Sequence, residues 1–137
     1  MRLLNRADCD ESHKRFVKRI VEKEVVWYLS NSQGVAHSGS NDDEESTVLI
    51  FWSDEAYARR TKKETFPEYD EASMDLFDFL FRWLPGMSGD GVLAGTNWTH
   101  DLIGVESDPF DLREEIENEM SEEQLERHRL KYESLTK

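Results

Sequence analysis

The feature that most constrains this chain is the segment 74–84, in which nearly every side chain is apolar. If Ser73 caps a helix here, only Asp75, Asp78 and Arg82 form a polar stripe along it. A helix with so little polar surface must be buried, so we expect it inside the core, the alternative being partial contact with another subunit. Its apolar side chains are Leu76, Phe77, Phe79, Leu80, Phe81, Trp83 and Leu84.

Runs of β-branched and aromatic residues predict strands around this helix. A hairpin is expected where a turn at 31–34 separates two such runs, and the continuous apolar run 47–52 is typical of a strand covered on both faces. A second hairpin is expected across a tight turn near His100 and Asp101. The predicted strands are 25–29, 35–36, 47–52, 92–98 and 102–106.

Capping residues predict the remaining helices. Asp10 or Ser12 can cap a first helix whose apolar stripe, extended by His13, lies opposite a row of basic residues. Further helices are expected at 53–60, after Asp108, and after a capping box at 121–124. The last of these has a thin apolar stripe, so it is expected to be peripheral.

Together these elements predict an α+β fold, with a mainly antiparallel sheet of about five strands and helices packed on it. At 137 residues the chain suits one domain over 1–137, with a core at about 10–120 and a peripheral helix at 121–137. Because the apolar helix is expected to be used up by its own core, a monomer or weak dimer is predicted.

Charge and cysteine content limit the classes of partner and the cellular compartment expected for this chain. The formal charge is −13, which repels phosphate backbones and anionic lipid, so we expect neither a nucleic-acid nor a membrane partner. The charge is uneven, because residues 1–23 carry seven basic against four acidic side chains. Cys9 is the single cysteine and cannot form an internal disulfide, which favours a cytoplasmic protein.

The usual motifs for catalysis and cofactor binding do not fit. The glycines of 89–95 lead into a predicted strand, whereas a dinucleotide site needs a helix start. The acidic run 41–45 lacks the glycine and distal glutamate of a calcium loop. No histidine has a second ligand at zinc spacing, so no metal and no cofactor are predicted. The four histidines are His13, His37, His100 and His128.

One ligand or partner surface is predicted from strand register. If the second hairpin turns at 99–102, Asn97 pairs with Gly104 and Gly95 with Glu106. Trp98 would then face the core, and the two glycines would floor a shallow dent beside the Asn97 amide and the Glu106 carboxylate. In the alternative interpretation, the glycines only admit a packed helix and Asn97 caps the turn.

Three stretches of the sequence are similar to a bacterial family known as domain of unknown function 2750. They include 26–29 before Gly34, then 51–58, and finally 83–91 with 95–98, 104–106 and Pro109. The resemblance covers residues near 13 to 120. Because that family has no established activity, it implies no catalytic residue, substrate or cofactor.

Three functions remain as hypotheses. The sequence favours a non-catalytic module that binds an unknown protein or small ligand, since the catalytic motifs fail and the acidic field is strong. An alternative is an immunity-type inhibitor whose acidic surface neutralises a basic toxin. Another alternative is a small enzyme with a carboxylate and histidine site, which requires those groups to converge in a pocket.

Overall fold

The computed structural model describes residues 6–41 and 45–136, which form two sheets surrounded by helices. The helical elements are α1 (Arg6–Lys23), α2 (Glu55–Glu64), α3 (Leu76–Asp78), a π-helical segment (Phe79–Trp83), α4 (Leu84–Gly89), α5 (Pro109–Glu119) and α6 (Glu122–Thr136). The strands are β1 (Val25–Asn31), β2 (Gly34–Val35), β3 (His37–Gly39), β4 (Thr47–Phe51), β5 (Asp70–Asp75), β6 (Leu93–Thr96) and β7 (Val105–Ser107).

The strands form one sheet in the order β2-β1-β5 and another in the order β3-β4-β6-β7. All neighbours are antiparallel except β4 and β6, which are parallel. A bridge between Trp27 and Trp52 joins the two sheets through a pair of 2.8 Å backbone hydrogen bonds. The expected α+β class is therefore confirmed, although the strands are divided between two sheets.

Strand β5 is the main difference from the expected elements. Its residues are rich in Asp, Glu, Ala and Ser, which have low strand propensity, so the sequence shows no strand there. It forms because β1 offers a complete edge, along which residues 70–75 pair with 25–30. The helix expected from Ser73 consequently starts at Leu76, where the Asp75 carboxylate accepts the Asp78 backbone N–H.

The apolar segment lies in the core as expected, although it is not one regular helix. Leu76, Phe79, Leu80 and Leu84 are fully buried, with the π-helical segment in the middle. They pack in a large cluster with the apolar face of α1 and with α5. A smaller cluster under α2 contains Leu29, Ala36, Val48, Ile50, Trp52, Ala58 and Trp98.

The starts of α1 and α6 can be compared with the capping residues predicted for them. Helix α1 already includes Arg6, so the predicted cap at Asp10 or Ser12 was wrong. The capping box of α6 is present, because Ser121 Oγ accepts the Gln124 N–H at 3.1 Å and Gln124 Oε1 accepts the Ser121 N–H at 3.1 Å. Helix α6 is peripheral, with mostly exposed residues, but it buries His128.

Candidate functional site

The predicted register of the second hairpin is present, because Gly95 pairs with Glu106 and Thr96 with Val105. The predicted dent above the glycines is filled, however, by the Trp98 indole. A Cβ atom at Gly95 would lie 2.7 Å from Trp98 Cε2, and one at Gly104 only 2.3 Å from Trp98 Cδ1. The indole Nε1 donates a 2.8 Å hydrogen bond to the Val105 carbonyl. Both glycines therefore make room for this ring rather than for a ligand.

The backbone conformation of Asn97 explains why the Trp98 indole lies over Gly95 and Gly104. Its φ of +48° is left-handed, which ends the strand alternation after Thr96. Its side chain is buried, and Oδ1 accepts the Ser53 N–H at 2.9 Å. Its Nδ2 donates to Ser53 Oγ at 3.0 Å and to the Ser12 carbonyl at 3.2 Å. The amide that was expected on an open face thus joins α1 to the end of β4.

Glu106 lies apart from Asn97. It is half-buried, and its carboxylate accepts hydrogen bonds from the Ser40 hydroxyl and the Asn41 backbone N–H. The four predicted residues therefore do not meet around an open dent. That Gly95, Asn97, Gly104 and Glu106 bind a partner stays a prediction, without the dent on which it was based.

Asn97 instead lines a cleft of about 590 Å³. The cleft lies between α1, α2 and the loop 97–103, with the buried rings of Trp52 and Trp98 at its base. Its surface is mostly apolar. The lining residues are Ser12, Arg15, Trp52, Tyr57, Arg60, Thr61, Asn97, Trp98, Thr99, His100, Asp101 and Ile103.

Hydrogen bonds hold the base and one wall of the cleft in place. Trp52 Nε1 donates to the Trp98 backbone carbonyl at 3.0 Å, which fixes the Trp52 ring against the start of the loop 97–103. Arg19 donates to both Asp54 and Tyr57 at 3.0 Å, and this fixes the Tyr57 hydroxyl. Burial alone would raise the pKa of Asp54, but hydrogen bonds from Ser53, Arg19 and Lys23 hold that pKa below its usual range. The Tyr57 side of the cleft is thus held in place by an ion pair behind it.

The loop 97–103 forms the other wall. Thr99 N–H donates to the Ile103 carbonyl at 3.1 Å, and Leu102 N–H to the Thr99 carbonyl at 2.9 Å. The Thr65 hydroxyl holds the loop to α2 by donating to the His100 carbonyl. Thr99 Oγ1 is buried without a hydrogen-bond partner, an arrangement that costs free energy unless another group completes it.

A family model described as a protein of unknown function (DUF2750) matches residues 13–116. The chain belongs to this family. No curated protein and no solved structure matches the chain. The DUF2750 segment contains every residue of the cleft except Ser12, whereas α6 lies beyond it.

Two histidine–carboxylate pairs lie within the described part of the DUF2750 segment: His100 and Asp101, neighbours in the cleft with Nε2 and Oδ1 3.8 Å apart, and His13 with Glu115. Of these two imidazole rings, only that of His13 also forms a hydrogen bond with a described hydroxyl group. His13 Nδ1 lies 2.7 Å from Thr96 Oγ1, and its Nε2 lies 2.8 Å from Glu115 Oε1. A hydroxyl, imidazole and carboxylate in this order are the components of a nucleophile site. Thr96 is fully buried, however, so a substrate has no route to its hydroxyl. The arrangement links α1, β6 and α5 and is structural.

Other reactive groups give no further site. In the part of the chain that the structure describes, no three His, Cys, Asp or Glu side chains are placed to hold a metal ion, and residues 42–44 of the acidic run lie outside that part. Burial, with the carboxylates of Asp10 and Asp8, raises the pKa of the Cys9 thiol, which disfavours the reactive thiolate. None of the described helices is long and apolar enough to cross a membrane.

Sequence reasoning missed the cleft because its walls come from separate parts of the chain. Trp52 and Trp98 were expected in the core, and they are buried there, but their edges also form the base of the cleft. Arg15 and Arg60 carry no local motif. The one available signal is a pair of arginines on the exposed faces of two helices in an otherwise acidic protein.

Proposed function

We propose that this protein is a non-catalytic binding module that holds a small ligand with an apolar body in the cleft. The observation that carries the proposal is a cleft of about 590 Å³ with two tryptophan rings at its base. Small-molecule sites commonly have volumes of about 300–1,000 Å³ and a mostly apolar lining with a few polar groups.

The fixed walls support the same function. Tyr57 and Asn97 are both held by hydrogen bonds, so their positions do not depend on the ligand. Because a pre-formed wall avoids the cost of ordering side chains on binding, it favours affinity.

The neutral fluorescent probe N-phenyl-1-naphthylamine tests the proposal. We expect saturable binding with increased fluorescence, because its aromatic rings can pack against the half-buried Tyr57 and Ile103, next to the buried Trp52 and Trp98. With nitrogen-labelled indoles, NMR signals of Trp52 and Trp98 should shift, whereas that of Trp83, which packs against Tyr28 and Phe51 in the other core cluster, should not.

A variant that fills the cleft provides the control. Ile103→Phe adds volume at a half-buried lining position, so it should weaken probe binding by about tenfold while the melting temperature changes little. The proposal fails if the probe does not bind, or if it binds wild type and Ile103→Phe equally well.

The setting proposed for this module is the cytoplasm, as a monomer or weak dimer without nucleic-acid or membrane partners. The burial of Leu76, Phe79, Leu80 and Leu84 supports the low oligomeric state, because these side chains are used by the protein's own core.

A further inference from the structure

The chemistry of the ligand can be narrowed by comparing arginines of α1 and α2. Arg19 pairs with Asp54 at 3.0 Å, and Arg59 pairs with Glu55 at 2.9 Å and with Glu71 at 3.0 Å. Arg15 and Arg60 are also exposed and line the cleft. Among residues 6–41 and 45–136, no carboxylate lies within 4.0 Å of either of these two guanidinium groups.

Unpaired arginines are unexpected in this chain, which has 30 acidic and 17 basic residues. The two come from different helices and both line one cleft. Their planar groups offer paired N–H donors that match a carboxylate, phosphate or sulfonate. The positive charge also continues beyond the cleft, in a shallow depression on α1 lined by Lys14, Arg15, Lys18 and Arg19 together with Glu11 and Glu22.

One acidic residue at the cleft opposes this charge. Asp101 lines the cleft, but its side chain is 64% exposed and lies 3.8 Å from His100 Nε2. The two arginines outnumber it at the cleft.

Resting on the proposed function, we infer that the ligand is an aromatic or otherwise planar anion, whose acidic group pairs with Arg15 and Arg60 while its apolar body packs against Tyr57 and Ile103. These two half-buried side chains supply apolar contact area, with Trp52 and Trp98 buried beneath the cleft. The guanidinium groups supply charge recognition.

A pair of probes separates the charge from the apolar body. The anion 8-anilino-1-naphthalenesulfonate differs from N-phenyl-1-naphthylamine by its sulfonate group. Wild type should bind the anion more tightly, and Arg15→Gln/Arg60→Gln should weaken anion binding by about tenfold. Binding of the neutral probe should change by less than about twofold, because it makes no charged contact.

The single variant Arg60→Gln should by itself weaken anion binding, and Lys63→Gln is its matched control. Lys63 is exposed on the same helix and does not line the cleft, so its removal lowers the overall charge equally without touching the site. Anion binding by Lys63→Gln should remain within about twofold of wild type. Raising the salt concentration from about 0.05 to about 0.5 M should weaken binding of the anion but not of the neutral probe.

The outcomes distinguish the two ideas. If the neutral probe binds and responds to Ile103→Phe, but the anion binds no more tightly or is unaffected by the arginine changes, the inference about charge is overturned and the binding module stands. An equal loss of anion binding in Lys63→Gln would also overturn it, because overall charge would then explain the effect. If neither probe binds, the proposed function fails as well.

Discussion

Two buried histidines, His13 and His128, each lie beside a glutamate, yet their surroundings differ. His13 uses both ring nitrogens, with Thr96 Oγ1 at 2.7 Å and the Glu115 carboxylate at 2.8 Å. His128 uses only Nε2, which lies 3.2 Å from Glu24 Oε1. Its Nδ1 is buried without a partner, in a ring that packs against aromatic side chains.

The difference in hydrogen bonding between the two histidines coincides with the end of the segment that matches the DUF2750 family. His13 lies within the matched segment and connects three of its elements, whereas His128 lies on α6, beyond that segment. A buried polar group that is fully paired helps to specify one arrangement of the core. A half-paired group carries a desolvation cost that other contacts must offset. His13 thus helps to specify the domain. Helix α6 is attached by hydrogen bonds from Gln124 to the Val21 carbonyl and from Arg127 to Glu24, and by aromatic contacts with Phe77 and Phe81.

The largest effect is expected from His13→Phe. A carboxylate only accepts hydrogen bonds, so the Nε2 of His13 carries a hydrogen, while its Nδ1 forms a hydrogen bond with the Thr96 hydroxyl. The phenyl ring would leave this hydroxyl unpaired, lowering the free energy of unfolding by about 2 kcal/mol. Urea denaturation would measure it.

Thr96→Val in the same background tests the cause. Removing both partners removes the unpaired group, so the double variant should regain about 1 kcal/mol. If His13→Phe alone were as stable as wild type, the hydrogen bonds of His13 would not stabilise the fold, and the proposed difference from His128 would be wrong.

A smaller effect of opposite sign is expected from His128→Phe. The change removes the unpartnered Nδ1 and places an apolar ring beside Phe77 and Phe81, while Arg127 still pairs with Glu24 at 3.0 Å. The free energy of unfolding should rise by less than about 1 kcal/mol. A loss as large as that in His13→Phe would show that the two sites are equivalent. Thermal and urea unfolding of His128→Phe and wild type would both measure this change in stability.

The smallest expected effect is on the pH dependence of stability, through the carboxyl group of Glu24. The hydrogen bond from Arg127, followed by that from His128, outweighs burial and lowers the pKa of Glu24. A lowered pKa adds stability above the ordinary glutamate value of about 4.3, and this contribution disappears as pH falls through the folded value. Glu24→Gln should therefore show a shallower loss of stability between about pH 5 and pH 3 than wild type does.

Glu126→Gln is the control for that measurement. Glu126 also pairs with an arginine on α6, but its side chain is 55% exposed, so its loss should change the pH profile less. If the two variants gave the same profile, the Glu24 pair would have no special role in attaching α6. Urea midpoints measured across the pH range would decide this.

The sequence predicted elements with strong local signals and missed those made by tertiary pairing. The apolar run at β4, the first hairpin and the register of Gly95 with Glu106 follow from patterns within a few residues. Strand β5 does not, because its stability comes from the β1 edge rather than from its own residues.

The predicted site failed at one residue. Strand alternation places Asn97 and Trp98 on opposite faces, and the prediction extended that alternation through both. The left-handed conformation of Asn97 ends it, so the amide turns inward and the indole covers the two glycines. Asparagine is a common non-glycine residue in this conformation, which was the available signal. The cleft itself depends on contacts between distant segments, and no local pattern contains them.

The parallel pairing of β4 with β6 has a consequence for how the chain is made. Residues 52–92 separate the two strands, so during synthesis β4 emerges well before its partner. Until β6 arrives, one edge of an apolar strand is open to pairing with other chains. A ribosome that stalls within this interval, or a fragment ending before Leu93, would therefore release a species prone to aggregation.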